Sequence, residues 1–274
     1  MIGVSTVMYG LFGVLRSPGA GDPGAVSDAL VILGTLAEER GRDTAGIALF
    51  TGRAVTSAAA SAGTRDARGC DLSYDGCRVV TGRAAFSRVW RPELLPLLDV
   101  APLVVGHTGR AAPESPDGRP DAGPLVVPGA GARADAGLVG THDGDVAAER
   151  IFRLLAGRRD AAATAETLGA ALPGRAALAW VDRARPDRVH LARAARSPLT
   201  VAVDTEQNLY WASEPRWLRT VRRHTRVRFA TAVMLREGTY LRAGLGAPDG
   251  RPHVLGSAGF TPTARGTGEF AATA

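Results

Sequence analysis

The chain has 274 residues, of which 45% are hydrophobic and 22% charged, enough for one good-sized hydrophobic core or two modest ones. No apolar run approaches the roughly 18 residues that a membrane-spanning helix needs, and the first residues lack the basic leader of a secretory signal, so we expect a soluble cytoplasmic protein without membrane contact. The net charge is +6 and all 33 basic residues are arginine, which excludes Schiff-base and P-loop chemistry that depends on lysine.

The first half of the chain predicts strands and one long helix. Asp22 followed by Pro23 marks a helix start, and apolar residues at helical spacing extend the helix to about Arg40, before Gly41. Short apolar runs predict strands at residues 8–15, 45–50, 54–59 and 102–107. Polar, glycine-containing stretches predict loops at residues 63–82 and 112–136.

The second half alternates strands, helices and turns. Helices are predicted at 147–156, at 161–172, and from a cap at Ser213 to His224. Strands are predicted at 137–142, 176–181, 188–193, 199–203, 208–212, near Val227, at 233–236 and at 240–242. From Gly246 onward the sequence has no periodicity, so we expect an extended tail. Many strands with two helical layers predict an α+β sandwich in one domain.

The chain has few residues that could bind a metal. Two cysteines, Cys70 and Cys77, are too few for a disulfide scaffold or a zinc site, and they either close a loop or remain free thiols. His107 and His142 stand at strand ends without nearby thiols or paired carboxylates at ligand spacing, which favours buried histidines. We therefore predict no metal and no cofactor.

Four segments, in order, resemble the glutaminase domain of the class II glutamine amidotransferases, a branch of the N-terminal-nucleophile hydrolases. Residues 8–13 resemble the family's Met-Cys-Gly-Ile-Phe-Gly start, and residues 39–48 its Arg-Gly-x-Asp-Ser-Ala-Gly-Ile run. Residues 106–108 resemble Gly-His-Thr-Arg-Trp-Ala, and residues 140–145 resemble the His-Asn-Gly motif. The resemblance implies a four-layer αββα sandwich of the N-terminal-nucleophile hydrolase type at residues 1–245, followed by a Gly/Pro/Thr-rich tail at 246–274.

Two positions of the family's chemical machinery are altered in this sequence. The family's nucleophile is an N-terminal cysteine whose own α-amine acts as the base, and Tyr9 occupies that position, with its phenol too far from its backbone nitrogen to be activated by it. The oxyanion donor is an asparagine helped by the N–H of the next glycine, here Asp143 and Gly144. An ionised carboxylate would repel an oxyanion, so Asp143 could donate only when protonated.

The two charges that hold glutamine are altered as well. The arginine that binds the substrate carboxylate corresponds to Gly109, and Arg110 is displaced by one residue, which turns a strand side chain to the opposite face. The aspartate that binds the substrate amine corresponds to Ala147, with Asp145 nearby. A vestigial pocket is therefore expected at His107, Gly109, Arg110, His142 and Asp145.

These changes predict a catalytically inactive relative that acts as a binding, regulatory or assembly subunit, including of a larger particle. The alternative is an active glutamine amidotransferase or amidohydrolase of the same fold with rewired residues or a processed nucleophile at Ser5 or Thr6. We expect a protein partner or a homo-oligomer. The densest basic patch is Arg222, Arg223, Arg226 and Arg228, which is typical of a solvated face and gives weaker support for nucleic-acid binding.

Overall fold

The described strands form two antiparallel sheets. The computed structural model describes residues 8–52, 64–66, 69–74, 76–110, 123–129, 137–144, 146–246 and 249–263. The helices are α1 (Pro23–Ala37), α2 (Phe86–Val89), α3 (Leu95–Val100), α4 (Ala148–Leu155), α5 (Ala161–Ala171) and α6 (Pro215–His224), with a 3-10 turn at Pro92–Leu94. The strands are β1 (Tyr9–Leu15), β2 (Thr44–Phe50), β3 (Thr64–Asp66), β4 (Gly69–Tyr74), β5 (Cys77–Gly82), β6 (Leu103–Gly109), β7 (Leu125–Pro128), β8 (Gly137–Asp143), β9 (Ala177–Asp182), β10 (Arg188–Arg193), β11 (Thr200–Asp204), β12 (Leu209–Ala212), β13 (Phe229–Met234), β14 (Thr239–Leu245) and β15 (Pro252–Gly259).

The larger sheet has nine strands in the order β13-β11-β12-β1-β6-β2-β5-β4-β3. The smaller sheet has six, in the order β15-β14-β10-β9-β8-β7. Strand β1 lies near the middle of the larger sheet, between β12 and β6, and all seven of its residues are buried. The first strand is therefore a central structural element, and its N-terminal end lies beside the end of β6.

Three apolar clusters hold the elements together. One packs helices α1, α2, α3 and α6 against the larger sheet through residues such as Phe12, Leu30 and Trp217. A second lies between side chains of the two sheets, including Leu11, Val105 and Leu191, and a third packs α4 and α5 against the smaller sheet. The result is a mixed α+β fold with two antiparallel sheets, which confirms the predicted class.

Several local predictions agree with the structure. Asp22 caps α1, since its side chain accepts a 2.9 Å hydrogen bond from the N–H of Ala25, and Pro23 occupies the first turn. The predicted cap of α6 is wrong: Glu214 is the N-cap residue, and the Ser213 hydroxyl accepts a hydrogen bond from the N–H of Leu11 instead. Ser213 thus links the chain to β1.

The stretch at residues 63–82, predicted to be a loop, contains a β-hairpin. Strands β4 and β5 pair from Gly69 opposite Gly82 to Tyr74 opposite Cys77. The prediction failed because β4 is polar and only half-buried at the rim of the sheet, so it lacks apolar alternation. Strand β7 likewise lies inside the stretch predicted to be a loop at 112–136. Cys70 and Cys77 are free thiols. The predicted strand at 54–59 lies outside the described residues.

The C-terminal segment also differs from its prediction. Residues from 246 onward were expected to be an extended tail, yet β15 pairs with β14 along the edge of the smaller sheet, from Leu245 opposite Pro252 to Thr239 opposite Gly259. Most of β15 is exposed, so its sequence does not need the apolar pattern on which the prediction relied. Among the described helices, none has the length and apolar composition to cross a membrane.

Candidate functional site

The residues singled out by sequence meet where the two sheets come together. Tyr9 begins β1, and its register places it opposite Gly109 at the end of β6, which in turn faces Thr44 at the start of β2. His107 lies two residues earlier on β6, and His142 and Asp143 end β8 of the smaller sheet. The site therefore unites the larger sheet and the smaller sheet at one pair of strand ends.

Tyr9 occupies the centre of this site through both its backbone and its ring. Its backbone N–H donates a 3.0 Å hydrogen bond to Asp143 Oδ1. Its ring stacks on His107 at a centroid distance of 5.2 Å and lies 4.6 Å from the tilted ring of His142. Tyr9 is only 5% exposed. The two histidine rings lie 5.5 Å from each other, so the three rings form one buried cluster.

Gly109 provides the room that this arrangement needs. A Cβ added at Gly109 would lie 2.4 Å from Tyr9 Cδ1 and 3.1 Å from Thr44 Oγ1, closer than real Cβ atoms approach a ring. The Tyr9 ring thus packs against bare backbone at the position where the resembled family carries an arginine. The next residue, Arg110, follows the end of β6 and is exposed to solvent.

Asp143 is a buried carboxylate paired with a buried arginine. Arg40 Nη2 lies 3.4 Å from Asp143 Oδ2 and 3.2 Å from Glu214 Oε1. Burial raises the pKa of the Asp143 carboxyl above its ordinary value, while Arg40 and the N–H of Tyr9 oppose that shift by stabilising the charged form. Arg40 and Glu214 were not predicted as site residues, although a buried aspartate next to a strand end requires a counter-charge, which is the signal that could have found them.

The two histidines are held as a packed pair. Burial, and then the proximity of His142, lowers the pKa of His107 to about 3, so its ring is neutral at physiological pH. His107 Nε2 lies 3.2 Å from the carbonyl oxygen of His142, and His142 Nδ1 lies 3.3 Å from the carbonyl oxygen of Gly144. These contacts join β6 to β8 and fix both rings against Tyr9.

Two other predicted positions lie at the edge of this site, and a third lies outside the described residues. Gly144 has φ +111°, a conformation that favours glycine, and a Cβ there would meet the carbonyl oxygen of Arg175 at 2.2 Å. Ala147 is the N-cap residue of α4 and is exposed. Asp145 falls outside the described part of the chain. Within that part, no cluster of three or more histidine, cysteine or acidic side chains could hold a metal ion.

The predicted basic patch divides into arginines with structural contacts and arginines exposed on a helix. Arg228 donates to the carbonyl oxygens of Arg222 and Thr225, which caps the end of α6, and Arg226 pairs with Asp22 at 3.1 Å. Arg222 and Arg223 are exposed on α6. The patch is therefore partly a helix-end arrangement, and its solvent-facing positive charge lies on the helix itself.

No protein-family model matches the chain, and no curated protein matches it either.

Proposed function

We propose that this chain is a catalytically inactive relative of the class II glutaminase domain that acts as a binding, regulatory or assembly subunit, including of a larger particle. One observation carries the proposal. At the position of the family's nucleophile, Tyr9 donates its backbone N–H to Asp143 and packs its buried ring against His107 and His142.

The proposal includes the four-layer αββα arrangement of the N-terminal-nucleophile hydrolases. It is supported by the order of the apolar clusters: helices α1, α2, α3 and α6 against one sheet, apolar side chains between the two sheets, and α4 and α5 against the other. It is also supported by the central place of β1, since the nucleophile of this fold begins such a strand.

Tyr9 does not supply the base that the family's reaction requires. A base must offer a free amine with an available lone pair. The nitrogen of Tyr9 follows Met8 in the chain, so it is an amide, and it donates its hydrogen to Asp143. The phenol ring is buried against His107 and His142 and does not replace the missing thiol.

The oxyanion site is also altered. A preorganised donor at such a site contributes roughly 3 kcal/mol to the transition state. Asp143 instead presents a carboxylate that accepts from Tyr9 and pairs with Arg40 at 3.4 Å. Burial raises the pKa of Asp143 and so favours the protonated form, which could donate, but protonation would also remove the negative charge that pairs with Arg40.

A retained scaffold without this chemistry is best explained by binding. Two roles fit: control or scaffolding of a synthetase-type partner, and construction of a larger assembly. The exposed arginines Arg219, Arg222 and Arg223 on α6 supply a positive face for an acidic surface of such a partner.

The first test of inactivity is made on protein purified from its native source. Intact mass and N-terminal sequencing are expected to show the Met8–Tyr9 bond unbroken, and incubation with glutamine is expected to yield no glutamate above the no-protein control. A chain that begins at Ser5 or Thr6, or glutamate formed in proportion to protein, would overturn inactivity and favour the amidohydrolase alternative.

The subunit role is tested separately by native mass spectrometry of the same preparation. A stoichiometric complex is expected. If the chain is detected only at the mass of a single copy at its native concentration, the subunit role is overturned, while the inactivity result stands.

A further inference from the structure

The two sheets end in four outer strands, β13 and β3 in the larger sheet and β15 and β7 in the smaller one. An outer strand presents unpaired backbone N–H and C=O groups, which can pair with another chain. Folded proteins prevent such pairing with short strands, prolines, charges or irregular pairing. The four outer strands differ in how many of these features they have.

Three of the four outer strands carry protection in their own length or sequence. Strand β3 has three residues, two of them charged, Arg65 and Asp66. Strand β7 has four residues and ends at Pro128. Strand β15 begins at Pro252, contains two glycines, and shifts its register against β14 between Arg242 and Ala243.

Strand β13 has less of this protection: it shares only the irregular pairing, with a register shift against β11 between Val203 and Asp204. Its six residues, Phe-Ala-Thr-Ala-Val-Met, include no proline, glycine or charge, and five of them are exposed. Val233 is 57% exposed and Met234 is 41% exposed. Since successive strand side chains point to opposite faces, both faces of this edge present apolar surface to solvent.

We propose that β13 is the dimerisation edge of this protein and pairs antiparallel with β13 of a second copy. A two-fold axis through the strand pair would join the two nine-stranded sheets into one continuous sheet. Such a contact uses the same residues on both copies and closes after two subunits. The proposal concerns assembly alone and stands apart from the proposed loss of activity.

The charges around β13 favour a second copy in the antiparallel direction. Four arginines precede the strand, Arg222, Arg223, Arg226 and Arg228, whereas Arg236 and Glu237 follow it. Glu237 lies 3.6 Å from Arg193 Nη2 within its own chain, and its side chain is still 56% exposed to a second copy. Antiparallel pairing places the arginine-rich end of each copy beside the end that carries Glu237 in the other, whereas parallel pairing would bring the two arginine-rich ends together.

The distance between the two α6 helices also favours antiparallel pairing. Six strand residues span about 20 Å, so the two α6 helices would lie at opposite ends of the paired strands. That separation exceeds the Debye length of roughly 8 Å at physiological salt, and repulsion between the two positive helices would be screened. The uncharged centre and the charged ends are therefore self-complementary.

The test measures the oligomeric state of the full chain. Sedimentation velocity over a hundredfold range of concentration is expected to show a dimer for the natural sequence. Val233→Lys places a charge on the exposed side of β13 and is expected to give a monomer with an unchanged circular-dichroism spectrum. Val254→Lys is the matched control, because Val254 is 60% exposed on the protected outer strand β15, and this variant is expected to remain dimeric.

Amide hydrogen exchange shows whether the strand itself pairs. The amides of β13 are expected to exchange more slowly in the dimer than in the Val233→Lys monomer. If Val233→Lys does not fold, Thr231→Lys, another exposed residue of the same strand, takes its place. A natural chain that is monomeric throughout, a dimer that survives both lysine variants, or β13 amides that exchange equally fast in dimer and monomer would each overturn the proposal.

Discussion

The backbone N–H of Tyr9 and the carboxylate of Asp143 lie 3.0 Å apart and join two sheets across 134 residues of sequence. Tyr9 belongs to the larger sheet and Asp143 to the smaller one. A hydrogen bond to a charged acceptor contributes about 1.5 to 3 kcal/mol. This bond therefore supports the packing of one sheet on the other.

The first prediction concerns the charge on Asp143. Asp143→Asn keeps an oxygen that can accept from Tyr9 and removes the titration. Because burial raises the pKa of Asp143 in the folded protein above its ordinary value of 3.8, its contribution to stability is present at low pH and is lost as pH rises from about that value through the raised pKa. Each pKa unit corresponds to about 1.4 kcal/mol.

Urea unfolding of both proteins between pH 4 and pH 7 checks this expectation. The free energy of unfolding of the natural chain, minus that of Asp143→Asn, is expected to fall as pH rises. A difference that rises with pH would mean that Arg40 and Tyr9 outweigh burial and lower the pKa of Asp143.

The second prediction concerns Arg40, which pairs with both Asp143 and Glu214. Arg40→Met keeps an apolar side chain of similar length but leaves the buried Asp143 without its counter-charge, so we expect a loss of about 3 to 5 kcal/mol in the free energy of unfolding. Adding Asp143→Asn is expected to recover part of that loss, since it removes the buried negative charge that Arg40 no longer balances. The free energies of unfolding of Arg40→Met and of the double variant are measured by urea unfolding at pH 7.

Arg42 supplies the matched control for this experiment. It follows α1 at a nearby position and lies 3.4 Å from Glu38, but its side chain is 74% exposed. Arg42→Met is expected to cost less than about 1 kcal/mol. Equal losses at Arg40 and Arg42 would contradict the structural role of the buried pair.

The third prediction concerns the fit between Gly109 and Tyr9. Gly109→Ala places a Cβ 2.4 Å from the Tyr9 ring, so we expect a loss of about 1 to 3 kcal/mol from overpacking. In a Tyr9→Ala background the ring is absent, and the same substitution is expected to cost less. The difference, measured by urea unfolding in a double-mutant cycle, reports the contact between the two residues.

Gly174→Ala is the control, because a Cβ there has no heavy atom within 4 Å. It is expected to leave stability nearly unchanged. If Gly109→Ala costs the same with and without the Tyr9 ring, the ring does not pack against Gly109 as described.

The sequence predicted the buried frame of this site better than its charges. Strand β1, strand β6 and strand β8 carry dense apolar runs, so their positions and the buried histidines could be read from the pattern. Arg40 and Glu214 were harder to predict. A buried aspartate indicates that a counter-charge is needed, but only the folded chain shows which charged residues approach it. Long-range pairing between charges leaves no periodic signal in the sequence.

The edges of the sheets were the least predictable part of the fold. Strands β4, β13 and β15 have half-buried or exposed residues, and their pairing depends on a neighbouring strand rather than on an apolar face. Two strands were predicted here, one near Val227 and one at 233–236, whereas the structure has the single strand β13 at Phe229–Met234. A strand of small and apolar residues with both faces exposed gives little register information.

The fourth prediction concerns acid stability and His190, which is buried beneath α5 in the smaller sheet. Its Nδ1 lies 2.8 Å from the Tyr240 hydroxyl, and its ring stacks on Trp180 at 5.0 Å. Burial, followed by the charges of Arg242 and Arg188, lowers its pKa from 6.5 to about 3. The unfolded chain therefore binds a proton first as pH falls, and stability is lost from about pH 6.5 downward.

His190→Phe removes this titration and keeps an aromatic ring, and the Tyr240 hydroxyl retains Thr164 as a partner. We expect the urea midpoint of this variant to decline less between pH 7 and pH 4 than that of the natural chain. His253→Phe, at an exposed histidine, is the control and is expected to show the natural decline. An identical decline in all three proteins would exclude His190 as a source of acid sensitivity.

The last prediction concerns the C-terminal strand. Truncation after Gly246 removes β15, which pairs along the whole of β14, and Phe260, which packs against the cluster of the smaller sheet and its helices. Each lost backbone hydrogen bond contributes about 1 kcal/mol net, so we expect a clear fall in the thermal unfolding temperature. Phe260→Ala separates the two contributions, since it removes the ring and leaves the strand, and is expected to lower the temperature by less. An unchanged unfolding temperature after truncation would mean that the segment is the extended tail that its sequence pattern predicts.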